Sequence, residues 1–379
     1  MTFWWSEDNY GQLLQCYALQ KYLQNAGHDA YLIRYTSSDY VKLSYWEKML
    51  KIFSPVKLYN FIRNKKRRIL GLQESRANPR HFETFRRNHI KQSEKTYYSH
   101  KELVEDPPLA DIYIVGSDQI WNILDLPVRR AINVINAYLL NFGDPSIKRI
   151  SYAASFGKEC EELDDDFINV FSFLLKKFHY ISVREGSGLE ICKRCGIDNA
   201  EWVPDPTMLL DTSIYRALYK GETIGKPNKP YCFLYLLGNQ FNISVHEVYK
   251  WAKEKKIEIV YVTGNWRQDK FQKTYATIPE WIYLLEHSEY VITNSYHCAV
   301  FSLLFEKKFG IVPLTRNAIG MNSRFDSMFQ LFGIEDRYVS TNLSVLDIDI
   351  DYRFVANTFQ NIRDTCRLNE IVSEEMKCP

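Results

Sequence analysis

The feature that most constrains this chain is an alternation. Short runs rich in β-branched and aromatic residues recur, each followed by a polar turn and then by a stretch with helical periodicity. "AYLIRY", "DIYIV", "IKRISYAA", "HYISV", "YCFLYLL", "IEIVYV" and "EYVIT" read as buried strands. In the first unit Leu13, Leu14, Tyr17, Ala18, Leu19, Tyr22 and Leu23 form the apolar face of one helix, Gly27 suits its C-cap, and "AYLIRY" follows. A strand, a crossover helix and a second strand make a parallel pair, so the fold class is α/β with parallel sheets.

Two interruptions divide the alternation. Residues 40–105 are rich in Lys, Arg and aromatics with helical periodicity, and read as a basic helical insertion. "YKGETIGKPNKP" is polar and bears Gly and Pro, as linkers do. The expected organisation is a first α/β domain over 1–215, a linker over 216–230, a second α/β domain over 231–345 and a C-terminal helical segment over 346–379. Ligands of open α/β sheets bind at the carboxyl ends of the strands, which places the expected site in the cleft between the two domains. The opening "MTFWW" reads as the end of a strand without its usual apolar lead-in, so the first strand is expected to be clipped.

Composition narrows the function. The 379 residues are 46% hydrophobic, enough to fill large cores, and 48 basic against 46 acidic residues leave a net charge of +2. No global field recruits nucleic acid. The local exception is "RNKKRRIL" (Arg63–Leu70), read as a solvated helix face, with docking on an anionic membrane surface or a lipid-linked substrate as the alternative. Eight scattered cysteines, no signal peptide and no apolar run long enough to span a bilayer point to a reducing cytoplasm. Cys192 and Cys195 form a lone C-x-x-C without a second pair or nearby histidines, so they read as ordinary thiols and no metal site is expected. The chain shows no P-loop, no G-x-G-x-x-G, no G-x-S-x-G elbow and no glycosidase-like carboxylate couple.

Four strand-to-loop junctions gather polar residues. Asn9 and Gly11 precede the first helix and suit a cap or an anion site at a helix N-terminus. "VGSDQIWN" clusters Ser117, Asp118, Gln119 and Asn122 directly after an apolar strand. "ISVREG" brings Arg184 out of a short strand, where it pairs with an acid or captures a carboxylate or phosphate. "VITNSYHCAVFSLLF" sets His297 where a strand turns into a helix, and Asn322, Ser323 and Arg324 begin another helix. Read alone, each is satisfied by a plain cap or turn. Together they suggest an anion-binding cleft.

"NYGQLLQCYALQKYL", "DIYIVGSDQIWN", "ISYAASFG", "SVRE", "VPDPTMLL", "TNSYHCAVFSLLFEKKF" and "NSRFDSMFQLFGIEDR" occur in order and at the approximate spacing of the polysaccharide pyruvyl transferase family. The chain resembles that family from about Phe3 to Arg337. The resemblance implies a GT-B-like fold, two Rossmann-like domains facing a central cleft, with "DYRFVANTFQNIRDTCRL" as a C-terminal helix crossing back to the N-terminal domain. It implies transfer of the enolpyruvyl unit of phosphoenolpyruvate to a sugar of a polysaccharide or lipid-linked precursor, as in capsule or exopolysaccharide assembly, with ketal formation and phosphate release. The donor is a substrate, and no cofactor is implied. By resemblance His297 is the catalytic residue. Arg184, Asn322, Arg324 and Ser295 bind the donor, and Asn9, Asp118 and Gln119 hold the acceptor. Many relatives carry Arg or Phe before the motif histidine and Gly after it, where this chain has Tyr296 and Cys298. If an Arg there contacts the donor, either Arg324, Lys307 or Lys308 supplies the charge or donor affinity is lower. The implied location is the cytoplasm, at the inner membrane face where the acceptor is lipid-linked. A nucleotide-sugar glycosyltransferase of the same fold and a non-catalytic assembly protein are the competing readings.

Overall fold

Backbone pairing and helix caps build the elements where the apolar periods change. The computed structural model describes residues 1–2, 9–36, 39–41, 73–74, 76–123, 126–225, 227–239, 241–264, 269–315, 320–334, 337–339 and 343–374. The basic run Arg63–Leu70 and most of "MTFWW" lie outside these residues. Met1 sits beside the chain after the third strand, its carbonyl accepting from the Gly116 N–H at 3.0 Å.

The first half runs α1 (Tyr10–Asn25), β1 (Leu32–Tyr35), α2 (Phe82–His89), β2 (Gln92–Tyr97), α3 (His100–Glu105), β3 (Ile112–Val115), α4 (Val128–Tyr138), β4 (Lys148–Ser151), α5 (Asp165–Leu175), β5 (Ser182–Val183), α6 (Gly186–Arg194), β6 (Glu201–Trp202) and α7 (Thr212–Ala217). Strands β1 and β2, β3 and β4, and β5 and β6 pair in parallel. Isolated parallel bridges from Ile150 to Tyr180 and from Ala154 to Val183 continue β4 into β5. Asp164 caps α5 by accepting from the Phe167 N–H at 2.8 Å, and two further acids in the first turn favour the positive end of its dipole.

One element differs from the periodicity. Within 40–105, read as helical, residues 92–97 form β2 and register Leu32 against Gln92 and Tyr35 against Tyr97. Only the last residue of "QSEKTY" is buried, so this strand is held by backbone pairing and carries no apolar alternation for a sequence to display.

After 218–230 the alternation resumes with β7 (Tyr231–Tyr235), α8 (Val245–Lys255), β8 (Glu258–Val262), α9 (Ile278–Glu286), β9 (Tyr290–Thr293), α10 (Tyr296–Leu304), β10 (Lys308–Ile311), α11 (Ser323–Phe332), α12 (Tyr352–Asp364) and α13 (Leu368–Ser373). Its four strands form one parallel sheet in the order β10-β9-β7-β8. All five residues of β7 are buried, as a central strand with both faces covered requires. Asn294 clasps the neighbouring strand's exit: its Oδ1 accepts from the Leu237 N–H at 2.7 Å and its Nδ2 donates to the Leu237 carbonyl at 2.8 Å.

The largest core joins both halves. Leu13, Leu14 and Tyr17 of α1 share it with Phe233, Trp281, Val300 and Phe301. Tyr10 stacks on Trp281 with centroids 5.4 Å apart and donates to the Ala276 carbonyl at 2.6 Å. The C-terminal helices return to the first half. Arg363 of α12 donates to the Leu210 carbonyl at 3.0 Å, Arg367 pairs with Glu201 at 3.5 Å, and Lys148 donates to the carbonyls of Ile371 and Glu374. Among the described residues no helix is long and apolar enough to cross a membrane.

Candidate active site

Five of the parallel strands end in loops that bring polar residues together, as the carboxyl ends of such strands do. Strand β3 leads to Ser117 and Asp118, β4 to Ser155, β5 to Arg184 and Glu185, β6 to Asp205, and β9 to Ser295, Tyr296 and His297. The loop after β3 needs unusual backbone at two positions. Gly116 has φ +145°, and a Cβ there would stand 1.9 Å from the Tyr152 carbonyl oxygen. Asp118 is left-handed at φ 65°, a conformation that Asp tolerates better than most residues.

Arg184 is the centre, 1% exposed. Its Nη1 donates to Asp205 Oδ2 at 2.8 Å, Nη2 reaches Asp118 Oδ1 at 3.5 Å, and Nε lies 3.9 Å from Glu185 Oε2. Its guanidinium stands 4.6 Å from the centroid of the Tyr296 ring. Burial alone would lower the Arg184 pKa, but the attraction of Asp205 and Asp118 outweighs it and holds the group above its ordinary value.

His297 comes from the second half and meets this cluster. Its Nε2 lies 3.4 Å from Arg184 Nη1 and 3.4 Å from Asp205 Oδ2. Its other edge rests on α1: a Cβ at Gly11 would stand 2.3 Å from His297 Nδ1. Only glycine lets the first turn of α1 approach the imidazole this closely. Gly11→Ala should therefore displace the ring or the helix, at about 1–3 kcal/mol of stability. A chemical denaturation curve and a turnover assay on the variant should both show the loss.

Asp205 is fully buried. Burial would raise its carboxyl, but His297 and Arg184, by charge and by hydrogen bonding, hold it well below the usual carboxylate range. Arg324, at the start of α11, is also buried, with its guanidinium 6.0 Å from the Tyr296 centroid and 5.4 Å from that of Phe325. Its Nε has no partner. Burial, then repulsion from Arg184, lowers its pKa to about 10. Two guanidiniums thus flank Tyr296, the Nε of each without a hydrogen-bond partner, and a bound anion would offset both penalties.

His297, Arg184, Asp118 and Arg324, all singled out in the sequence, come together. The others are engaged locally. Asn9 Oδ1 caps α1 by accepting from the Gln12 N–H at 3.3 Å, and Ser295 Oγ caps α10 by accepting from the Cys298 N–H at 3.5 Å. Gln119 Oε1 accepts from Asn122 at 3.2 Å. Asn322 gives both ends of its amide to Leu314, accepting from its N–H and donating to its carbonyl, each at 3.0 Å. Of the cations proposed to replace the missing motif arginine, Lys307 donates to the Ser288 carbonyl at 3.2 Å and Lys308 pairs with Asp349 at 3.0 Å. Both lie where β10 begins, at the opposite end of the strand from the site, which leaves Arg324. Cys298 is buried in the core. Asp205 was not singled out. It lies in "VPDPTMLL", where its Oδ1 caps the local turn by accepting from the Thr207 N–H at 3.0 Å and from the Thr207 hydroxyl at 2.7 Å. Only the folded chain turns Oδ2 towards Arg184.

Among the described residues no group of three or more His, Cys, Asp or Glu side chains is placed to hold a metal ion. Fold and site define an α/β protein whose buried cations and histidine, drawn from both halves, suit a small anionic substrate. The family model for polysaccharide pyruvyl transferase matches residues 9–313. The chain belongs to that family, and so is a transferase of pyruvyl groups acting on polysaccharide. The curated proteins hold no match to it.

Proposed function

We propose that the chain transfers the enolpyruvyl unit of phosphoenolpyruvate onto two hydroxyls of a sugar, forming a pyruvate ketal and releasing phosphate. The observation that carries this reading is the 3.4 Å approach of Arg184 and His297 from the two halves, with Arg324, whose Nε donates no hydrogen bond, buried near the same Tyr296 ring. A donor with a carboxylate and a phosphate on three carbons matches two guanidiniums separated by one aromatic ring. In the reaction C2 gains two bonds to sugar oxygens and loses its bond to the phosphate oxygen and its π bond to C3. One hydroxyl proton ends on C3, which becomes a methyl group, and the other leaves with phosphate. His297 supplies the proton to C3 or donates to the departing phosphate, and Arg184 and Arg324 hold the donor's charges. Asp118 faces the same cluster and takes the acceptor's hydroxyls. Asn9, Gln119, Ser295 and Asn322 shape the surrounding loops. No cofactor is required.

In this reading the fold is GT-B-like, with Rossmann-like domains over 1–215 and 231–345, a 216–230 linker and a 346–379 segment crossing back. Parallel strands on both sides of the linker and the contacts of Arg363 and Arg367 with the first half support it. The reaction runs in the cytoplasm, at the inner membrane face where the acceptor is lipid-linked. The test is a thermal shift with phosphoenolpyruvate, where saturation at 100 times Kd should add about 2.7 kcal/mol of stability. Stabilisation by a nucleotide sugar, with none by phosphoenolpyruvate, would replace this reading with a glycosyltransferase.

A further inference from the structure

Arg184 is surrounded by three acids, and their geometry separates them. Asp118 is reached at 3.5 Å and Glu185 at 3.9 Å, whereas Asp205 Oδ2 accepts from Nη1 at 2.8 Å. Glu185 is also committed elsewhere, its Oε1 accepting from the backbone N–H groups of Phe156 at 2.9 Å and Gly157 at 3.4 Å. Asp205 alone of the three also lies beside His297, at 3.4 Å from Nε2. The same Oδ2 accepts from Ser117 Oγ at 2.8 Å, and the Ser117 N–H donates to Gln15 Oε1 of α1 at 3.0 Å. One oxygen therefore ties together the loops after β3, β5 and β6, the first helix and the start of α10. The other oxygen is locked by Thr207.

We propose that Asp205 is the positioning residue of this site, aligning the Arg184 guanidinium and the His297 ring across the two halves without touching the substrate. The Nδ1 side of the imidazole already rests against Gly11 of α1, and the Asp205 carboxylate 3.4 Å from Nε2 fixes the ring from its other side. That resembles the part the third member plays in hydrolase triads, holding one orientation of the ring. Burial keeps the carboxylate from being shared with water, which strengthens both contacts.

The kinetic part of the test rests on the proposed pyruvyl transfer; the spectroscopic part does not. Asp205→Asn keeps the shape and removes the charge. Measured per folded molecule by circular dichroism, its kcat for phosphate release should fall by about 10- to 100-fold, the usual loss when an orienting partner is removed, with KM for phosphoenolpyruvate changing far less. The ring nitrogen shifts of 15N-labelled His297, assigned by their loss in His297→Gln, should change in Asp205→Asn. Asp205→Glu should recover part of kcat. If Asp205→Asn does not fold, Ser117→Ala, which loosens Asp205 but leaves its charge, carries the test through the same two readouts. Unchanged kcat and unchanged His297 nitrogen shifts would overturn the assignment. A wild-type protein that releases no phosphate from phosphoenolpyruvate overturns the proposed reaction instead, and the nitrogen shifts still decide the role of Asp205.

Discussion

His297→Ala is expected to lower acceptor-dependent phosphate release from phosphoenolpyruvate by about 100- to 10,000-fold, the usual contribution of a positioned acid or base. The fold should survive. Asp205 keeps Arg184 Nη1, Ser117 Oγ and both Thr207 donors when the imidazole is gone, so no charge is left without a partner. The helix start does not depend on the ring either, since Ser295 supplies the cap of α10. Single-turnover kinetics with circular dichroism check both halves of the expectation. Turnover at the wild-type rate would remove His297 from the chemistry and return it to the role of a packed histidine against Gly11.

Arg184→Ala should show the opposite balance, with stability failing first. The guanidinium is the shared counter-charge of Asp118, Glu185 and Asp205, and its side chain is fully buried. Removing one partner from a buried ion pair costs about 3–5 kcal/mol, because the remaining charge stays out of water. The denaturation midpoint should drop accordingly, and phosphoenolpyruvate should no longer raise the melting temperature. Arg184→Lys should recover part of the stability and little of the binding, since an ammonium cannot serve Asp205 and Asp118 with two separate nitrogens. A denaturation midpoint unchanged by Arg184→Ala would show that the three acids are stabilised by something other than this arginine.

Much of the molecule was legible from short-range pattern. The runs "YCFLYLL" and "EYVIT" appear as β7 and β9 because a central parallel strand is apolar on both faces, and that pattern survives any packing. "ELDDDF" announces α5 because a cap and a helix dipole act within one turn. "QSEKTY" announced nothing, since β2 is specified by its pairing with β1 rather than by its own side chains. At the site, residue type left His297, Arg184, Asp118 and Arg324 readable as plain caps or turns, and it was the resemblance to the family that gave them roles. It could not separate them from Asn322 and Ser295, which look alike in sequence and prove to be spent on neighbouring backbone.

By itself, then, the sequence determined the alternating α/β class, its parallel sheets, the family, and the strand exits that carry polar groups. These follow from residue type and spacing along a few turns of chain. Tertiary structure alone decided that Arg184 and His297, 113 positions apart, meet at 3.4 Å, that Gly11 gives the imidazole its seat, and that Asp205 holds the two together. Those contacts depend on how two sets of strands and one helix pack, which is a property of distance in space and leaves no period in the chain.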